Sequence, residues 1–233
     1  MENFPDFASA FLKLNLLERA FFVRDRLGAL GFSVNLEKIP GVGDLNVLAK
    51  PKDRPSFLLL SHHDGPGAND NATGTYALIK LAESLTAGGP SCFLSTGGEE
   101  RGITGALHFV KSHRAELKRL KAAINIDAVG AGPLLFVHAP QPSTGGETKL
   151  ETLALNIASD MNLPTVLYRR RLIRDEIAFR GVVPTIGLSW RNPDGTLPFK
   201  HTSEDAPKIV DAPKVEATIN FVLRLLRSIG ESR

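Results

Sequence analysis

Three short apolar runs constrain what this chain can fold into: residues 56–61, 91–95 and 122–126. Each has the length of one strand, and unbroken apolarity suits a strand buried on both faces of a sheet. Between and after them lie stretches with apolar residues at helical spacing, 73–85 and 103–120. A further helix is expected over 7–30, carried by Phe11, Leu14, Leu17, Phe21, Phe22, Leu27 and Leu30 and stopped at Gly31. Strands are expected at 32–39, 45–49, 134–138 and 183–189, and helices at 150–161 and 210–228. Loop is expected at 140–147, and irregular chain at 191–201. This alternation predicts an α/β three-layer sandwich around a mainly parallel, mixed central sheet. The 233 residues, 42% hydrophobic, suffice for one core, and no linker or repeat divides them. A single domain over 1–233 is expected.

Composition excludes several classes of partner. The formal net charge is only +3, too small a surplus to argue for nucleic acid without a clustered patch. No apolar run reaches bilayer length, so no membrane partner is expected. The first residues carry Glu2 and Asp6 and lack a basic segment followed by an apolar core, which argues against a secretory signal. The one cysteine, Cys92, fits a reducing compartment, and a cytoplasmic location is expected. Cys92 lies in the apolar Cys92-Phe93-Leu94 and reads as a buried structural thiol.

The chemistry lies just past the strands. His62 and Asp64 follow the first run, Glu99 and Glu100 the second, and Asp127 the third. His201 closes the segment after the last strand, and Asp70 sits in the Asn/Asp-rich turn Gly67-Ala68-Asn69-Asp70-Asn71. In open α/β sheets, ligands bind beyond the carboxyl ends of the strands. Singly, each residue has a plain reading as a turn acid, a helix-dipole partner or a core histidine. Together they would crowd carboxylates whose charges repel, unless a cation neutralised them. A divalent pair resolves the repulsion: zinc accepts nitrogen and oxygen ligands, and paired metals usually share a carboxylate bridge.

These segments resemble the di-zinc aminopeptidases of the aminopeptidase Y type, within the zinc-exopeptidase fold. The resemblance is carried by Asn46-Val47-Leu48-Ala49, Ser61-His62-His63-Asp64, Gly65 to Gly74, Gly98-Glu99-Glu100-Arg101-Gly102 to Ala106, Ile124-Asn125-Ile126-Asp127 and His201-Thr202-Ser203-Glu204-Asp205, in the family's order. It implies two zinc ions. His62 and Asp127 would ligate the first, Glu100 and His201 the second, and Asp70 would bridge them. Glu99 corresponds to the general base, and Asp64 to the acid that orients His62. The implied activity is hydrolysis of the N-terminal peptide bond of a peptide. A carboxypeptidase or an N-acyl amino-acid amidohydrolase on the same fold is the alternative. A glutaminyl-cyclase-like enzyme fits less well, because those relatives use one zinc. A non-catalytic binding module is the reading from another class, but such modules usually lose ligands.

Three features depart from the family pattern. Only five residues separate Asp64 from Asp70, which leaves the expected site more open. The family's Ser-Asp-His-x-x-Phe segment stands here as Arg174-Asp175-Glu176-Ile177-Ala178-Phe179, with Glu176 at the histidine position. No appended domain is expected to restrict access, and self-association into a homo-oligomer is expected in its place. Residues 132–174 are expected as an insertion covering the substrate. Its Arg169, Arg170, Arg171 and Arg174 read as a solvated face, or as a patch for an acidic substrate or a C-terminal carboxylate. His63 reads as a pocket-wall or secondary residue, and Trp190 and Phe199 as core or pocket wall.

Overall fold

Asn15 divides the first helical stretch in two. The computed structural model describes residues 3–139, 148–169 and 172–231. In it α1 spans Phe4–Phe11 and α2 spans Leu16–Ala29. The Asn15 side chain accepts from the Glu18 amide at 3.0 Å, and the Glu18 carboxylate accepts from the Asn15 amide at 2.8 Å. This reciprocal cap satisfies two amides that a helix start leaves over. The single helix expected over 7–30 is therefore corrected to two, and Leu17 and Phe21, counted toward its apolar face, are exposed.

The sheet has eight strands: β1 Ser33–Lys38, β2 Leu45–Lys50, β3 Phe57–His62, β4 Ser91–Thr96, β5 Ala122–Ile126, β6 Leu134–His138, β7 Thr165–Tyr168 and β8 Thr185–Arg191. Their order is β1-β2-β4-β3-β5-β8-β6-β7. The central four, β4, β3, β5 and β8, run parallel, with Leu59 beside Phe93 on one side and Ile124 on the other. β2 and β6 flank this block antiparallel. The three apolar runs are thus the buried centre, as their patterning predicts. The four-residue β7 is an addition to the expected strands: its apolar run, Val166-Leu167-Tyr168, is only three residues long and half-buried at the sheet's edge.

Alternation along each central strand feeds two cores. Phe57, Leu59, Phe93 and Ile124 face the larger one, filled from α1, α2, α3 (Ala72–Leu85), α5 (Lys149–Asp160) and α6 (Ala212–Glu231). Leu58, Leu60, Cys92 and Leu94 face the smaller one, capped by Phe109 and Val110 of α4 (Thr104–Leu117) and by Phe179. Burial pushes the Cys92 thiol up to about 12, so it stays protonated, and a structural thiol is what the fold contains. Within 132–174, β6 and β7 belong to the sheet, and α5 packs on α6 and the neighbouring strands. That narrows the expected covering role to the connecting loops, of which 140–147 and 170–171 lie outside the described residues.

Helix and strand ends are arranged so that β3, β4, β5 and β8 all open on one edge, where the next residues of the chain meet. Phe93, fully buried and edge-to-face with Phe32 at 5.1 Å, anchors the sheet beneath that edge. Phe93→Ala should destabilise the protein by about 3–5 kcal/mol, whereas Leu107→Ala at an exposed position should stay within about 0.5 kcal/mol. Urea unfolding midpoints measure both.

Candidate functional site

β3 ends on His62, and Asp127 follows β5 directly. Glu99 and Glu100 follow the Gly97-Gly98 turn after β4. Three sets of donors result among the described residues; one is His62, Glu99 and Glu100, and the other two meet at Asp70. In those two, His62, Asp70 and Asp127 each offer one ligand atom, all within 4.8 Å of one another; Asp70, Glu100 and His201 do the same. The His62, Asp70 and Asp127 set is buried, whereas His201 is half exposed. All seven residues singled out by sequence therefore converge on one edge of the sheet.

The geometry of this buried set is that of a place prepared for a cation. His62 Nε2 lies 3.4 Å from Asp70 Oδ1 and 3.5 Å from Asp127 Oδ1. Both His62 Nε2 and Asp127 Oδ1 are buried without a hydrogen-bond partner. Orphaned buried polar atoms are rare and call for an occupant. One imidazole nitrogen and carboxylate oxygens form the donor chemistry that zinc accepts, so the residues fit a divalent metal. In the Asp70, Glu100 and His201 set, His201 Nε2 lies 3.0 Å from the Glu100 carboxylate and 3.9 Å from Asp70 Oδ2.

Around these donors the chain is fixed by side chain to backbone bonds. Asp64 Oδ1 faces His62 Nδ1 at 3.3 Å, as an orienting acid should. Oδ1 also accepts from the Glu99 amide and Oδ2 from the Glu100 amide, each at 3.2 Å, which ties the β4 turn to the β3 end. The Asp70 turn is held by Asp205, whose carboxylate accepts from the Asn69 amide at 2.6 Å and the Asp70 amide at 3.1 Å. A Cβ on Gly67 would lie 2.0 Å from that carboxylate, so only glycine allows the approach. Asn71 links three elements: it accepts from the Gly74 and Ala128 amides and donates to Ser61 Oγ and the His62 carbonyl.

The electrostatics follow from crowding. Burial, together with Asp127, Asp175 and Glu100, pushes Glu99 up to about 8 against the opposing pull of His62. Burial opposes charge on His62, yet Glu99 and Asp127 outweigh it and hold the imidazole well above its ordinary value. A bound cation would reverse that, because a ligating histidine must be neutral. Burial would also raise Asp127, but Arg174 and His62 keep it well below the usual carboxylate range.

Several neighbours were not assigned roles from sequence, or were assigned others. Arg174, read with the basic run, is buried and pairs with Asp127 at 2.7 Å. Arg169 pairs with Glu151 of α5 at 2.9 Å, and Arg170 and Arg171 lie outside the described residues. A solvated face or substrate patch is thus corrected for Arg174: a guanidinium so deep needs a carboxylate, and Asp127 and Glu176 supply it. Glu176 is buried, accepting from Asn125 Nδ2 at 2.6 Å. His63 is buried between Ser95 and Asp44, which leaves the secondary residue of its two readings and removes the pocket wall. Trp190 is core, donating to Thr218, whereas Phe199 is exposed. Lys200, unread in the sequence, places Nζ 3.3 Å from Asp70 Oδ2. An apolar cavity of about 150 Å³ beside Leu58, Cys92 and Phe109 is separate from these residues.

An eight-stranded mixed sandwich with His, Asp and Glu donors at the strand ends defines a protein of the zinc-exopeptidase fold class. A profile of Peptidase family M28 matches residues 46–226, and the chain belongs to that family. Aminopeptidase YwaD of Bacillus subtilis (strain 168) is 34% identical over 193 residues, covering 75% of this chain and 42% of that protein. The chain thus spans less than half the length of that relative. Among solved structures, BSAP, a zinc aminopeptidase from Bacillus subtilis, has a TM-score of 0.68 at 23% identity over 79% of this chain and 50% of its own. The Porphyromonas gingivalis glutaminyl cyclase has a TM-score of 0.78 at 18% identity and covers 97% of both chains. At these identities the structural likenesses show the fold.

Replacing Asp205 tests whether the amide clamp matters. Asp205→Asn turns one acceptor into a donor facing an amide, so Asp70 should lose its placement. Zinc affinity should fall on the order of 10–100-fold by chelator competition, with the circular dichroism spectrum unchanged.

Proposed function

We propose that this chain is a two-zinc aminopeptidase that hydrolyses the N-terminal peptide bond of peptides. The observation that carries the reading is that Asp70 is shared between the His62 and Asp127 donors and the Glu100 and His201 donors, beside the buried Glu99, which itself lies close to His62 and Glu100. A shared carboxylate is what a bridged metal pair about 3.5–4 Å apart requires. His62 and Asp127 would hold one ion, Glu100 and His201 the other, and Asp70 both. Membership of the peptidase family and the name of the aminopeptidase relative support a peptide substrate.

When bound, the metal pair supplies Lewis acidity to the scissile carbonyl and to the attacking water. The chain's own residues do the rest. Glu99, largely buried and electrostatically poised to hold a proton, takes one from the attacking water at a carboxylate oxygen. It returns that proton to the leaving amine. Nearby cations draw its pKa down from about 8, toward the range in which a base works at neutral pH. Asp64 keeps the Glu99 amide and the His62 ring in fixed relation, so the base does not drift from the reacting centre. His201 and the exposed Lys200 stand on the solvent side, where a substrate enters.

The purified protein should carry two zinc ions per chain by elemental analysis and release product from amino-acid anilides. Activity confined to N-acylated amino acids would favour the amidohydrolase, and cyclisation of N-terminal glutamine the glutaminyl cyclase. Zinc-free protein without any activity after reloading would favour a binding module. Glu99→Gln should keep both metals and lower kcat about 10²–10⁴-fold. Loss of zinc in that variant would make Glu99 a ligand and remove it as the base.

A further inference from the structure

Among the described residues, Arg174 is the guanidinium that pairs with Asp127; its Nη1 and Nη2 are hydrogen-bonded, while Nε is buried without a hydrogen-bond partner. Nη2 lies 2.7 Å from Asp127 Oδ2 and donates to the Asp127 carbonyl at 3.0 Å. Nη1 donates to Ser189 Oγ at 3.0 Å and to His138 Nε2 at 3.2 Å. Because arginine only donates, His138 Nε2 is the acceptor there and the ring is neutral on that side. Nε lies 3.5 Å from Glu176 Oε1. Gly187 makes room for Glu176, whose carboxylate would lie 2.6 Å from a Cβ at that position. The buried order is therefore Asp127, Arg174, Glu176, with a second buried cation, Arg191, donating through Nε to the same Ser189 Oγ at 2.8 Å.

Asp127 is divided by this arrangement. Oδ2 is held by Arg174, while Oδ1 is buried without a hydrogen-bond partner and faces His62. We infer that Arg174 is the resident counter-ion of the buried metal position: it leaves Asp127 only Oδ1 to offer, and by drawing charge from that carboxylate it weakens the hold on the cation. This deepens the two-metal reading above and rests on it. Most outer partners of metal ligands are acceptors that raise ligand basicity; a guanidinium works in the opposite sense, because its positive charge repels the ion that the ligand binds. Glu176 moderates the effect by taking part of the Arg174 charge. Arg174 acts through Asp127 and is a positioning residue.

The two charges can be removed together, so that neither Arg174 nor Glu176 is left as a lone buried ion, and Asp127 keeps His62 at 3.5 Å. Zinc binding is measured by competition with a chromophoric chelator, in a His201→Ala background that removes the exposed position. R174M/E176Q should bind zinc at the buried position on the order of 10–100-fold more tightly than that background alone. Arg174→Lys, which keeps the charge, should stay close to it. Glu176→Gln alone, which leaves the Arg174 charge unshared, should bind more weakly, and this variant decides the matter if the double one fails to fold. Unchanged or weaker binding in R174M/E176Q, or unchanged or tighter binding in Glu176→Gln, overturns the inference and leaves the two-metal reading standing. A parent protein that binds no zinc overturns both.

Discussion

Carboxylates gathered in a dry place repel one another, and the rest of this molecule is arranged around that repulsion. Asp64, Asp70, Glu99, Asp127 and Asp175 are all buried at one edge of the sheet, with Glu100 at its margin. Left alone, such groups would take up protons or force the edge apart. Three answers to the problem are visible. Asp127 is neutralised from within by Arg174. Asp64 and Asp205 spend their lone pairs on backbone amides. Glu99, deprived of either partner, is driven toward its protonated form. What is left over is a set of oxygens and one imidazole nitrogen aimed at a common space, which is the definition of a metal site in physical terms.

The fold supplies that edge cheaply. Four parallel strands end together, so residues far apart in sequence arrive within a few ångströms without any long loop. Asn71 then serves as a joint: its one side chain ties the β3 end, the β5 end and the start of α3. The close approaches at Gly67 and Gly74, where a Cβ would lie 2.0 Å from Asp205 or 2.3 Å from Asn71, far inside van der Waals contact, let the Asp70 turn press against these elements. The placement of the donors is thus a property of buried hydrogen bonds, which water does not weaken.

Much of this was readable in advance, for a definite reason. The central strands are buried on both faces, so their apolar runs are unbroken, and a charged residue directly after such a run has few explanations other than function. That logic reached His62, Glu99, Glu100, Asp127 and, after the last strand, His201, while the role of Asp70 in its turn came from the family resemblance; all six stand together in space. It failed where partners are distant in sequence. Arg174 sits among other arginines and looks like surface; only the fold brings it to Asp127, 47 residues away. Asp205 lies within a matching segment, yet nothing local shows that its carboxylate turns back to Asn69 and Asp70, more than a hundred residues earlier. The helix break failed for a local reason: the helical periodicity over 7–30 outweighed the capping residues Asn15 and Glu18 within it.

The shared bridge is the claim on which the rest leans, and crystals of the zinc-loaded protein test it most directly. Anomalous scattering at the zinc edge should show two peaks about 3.5–4 Å apart, with the Asp70 carboxylate between them, His62 and Asp127 on one and Glu100 and His201 on the other. A single peak, or two peaks that do not both touch Asp70, would contradict it.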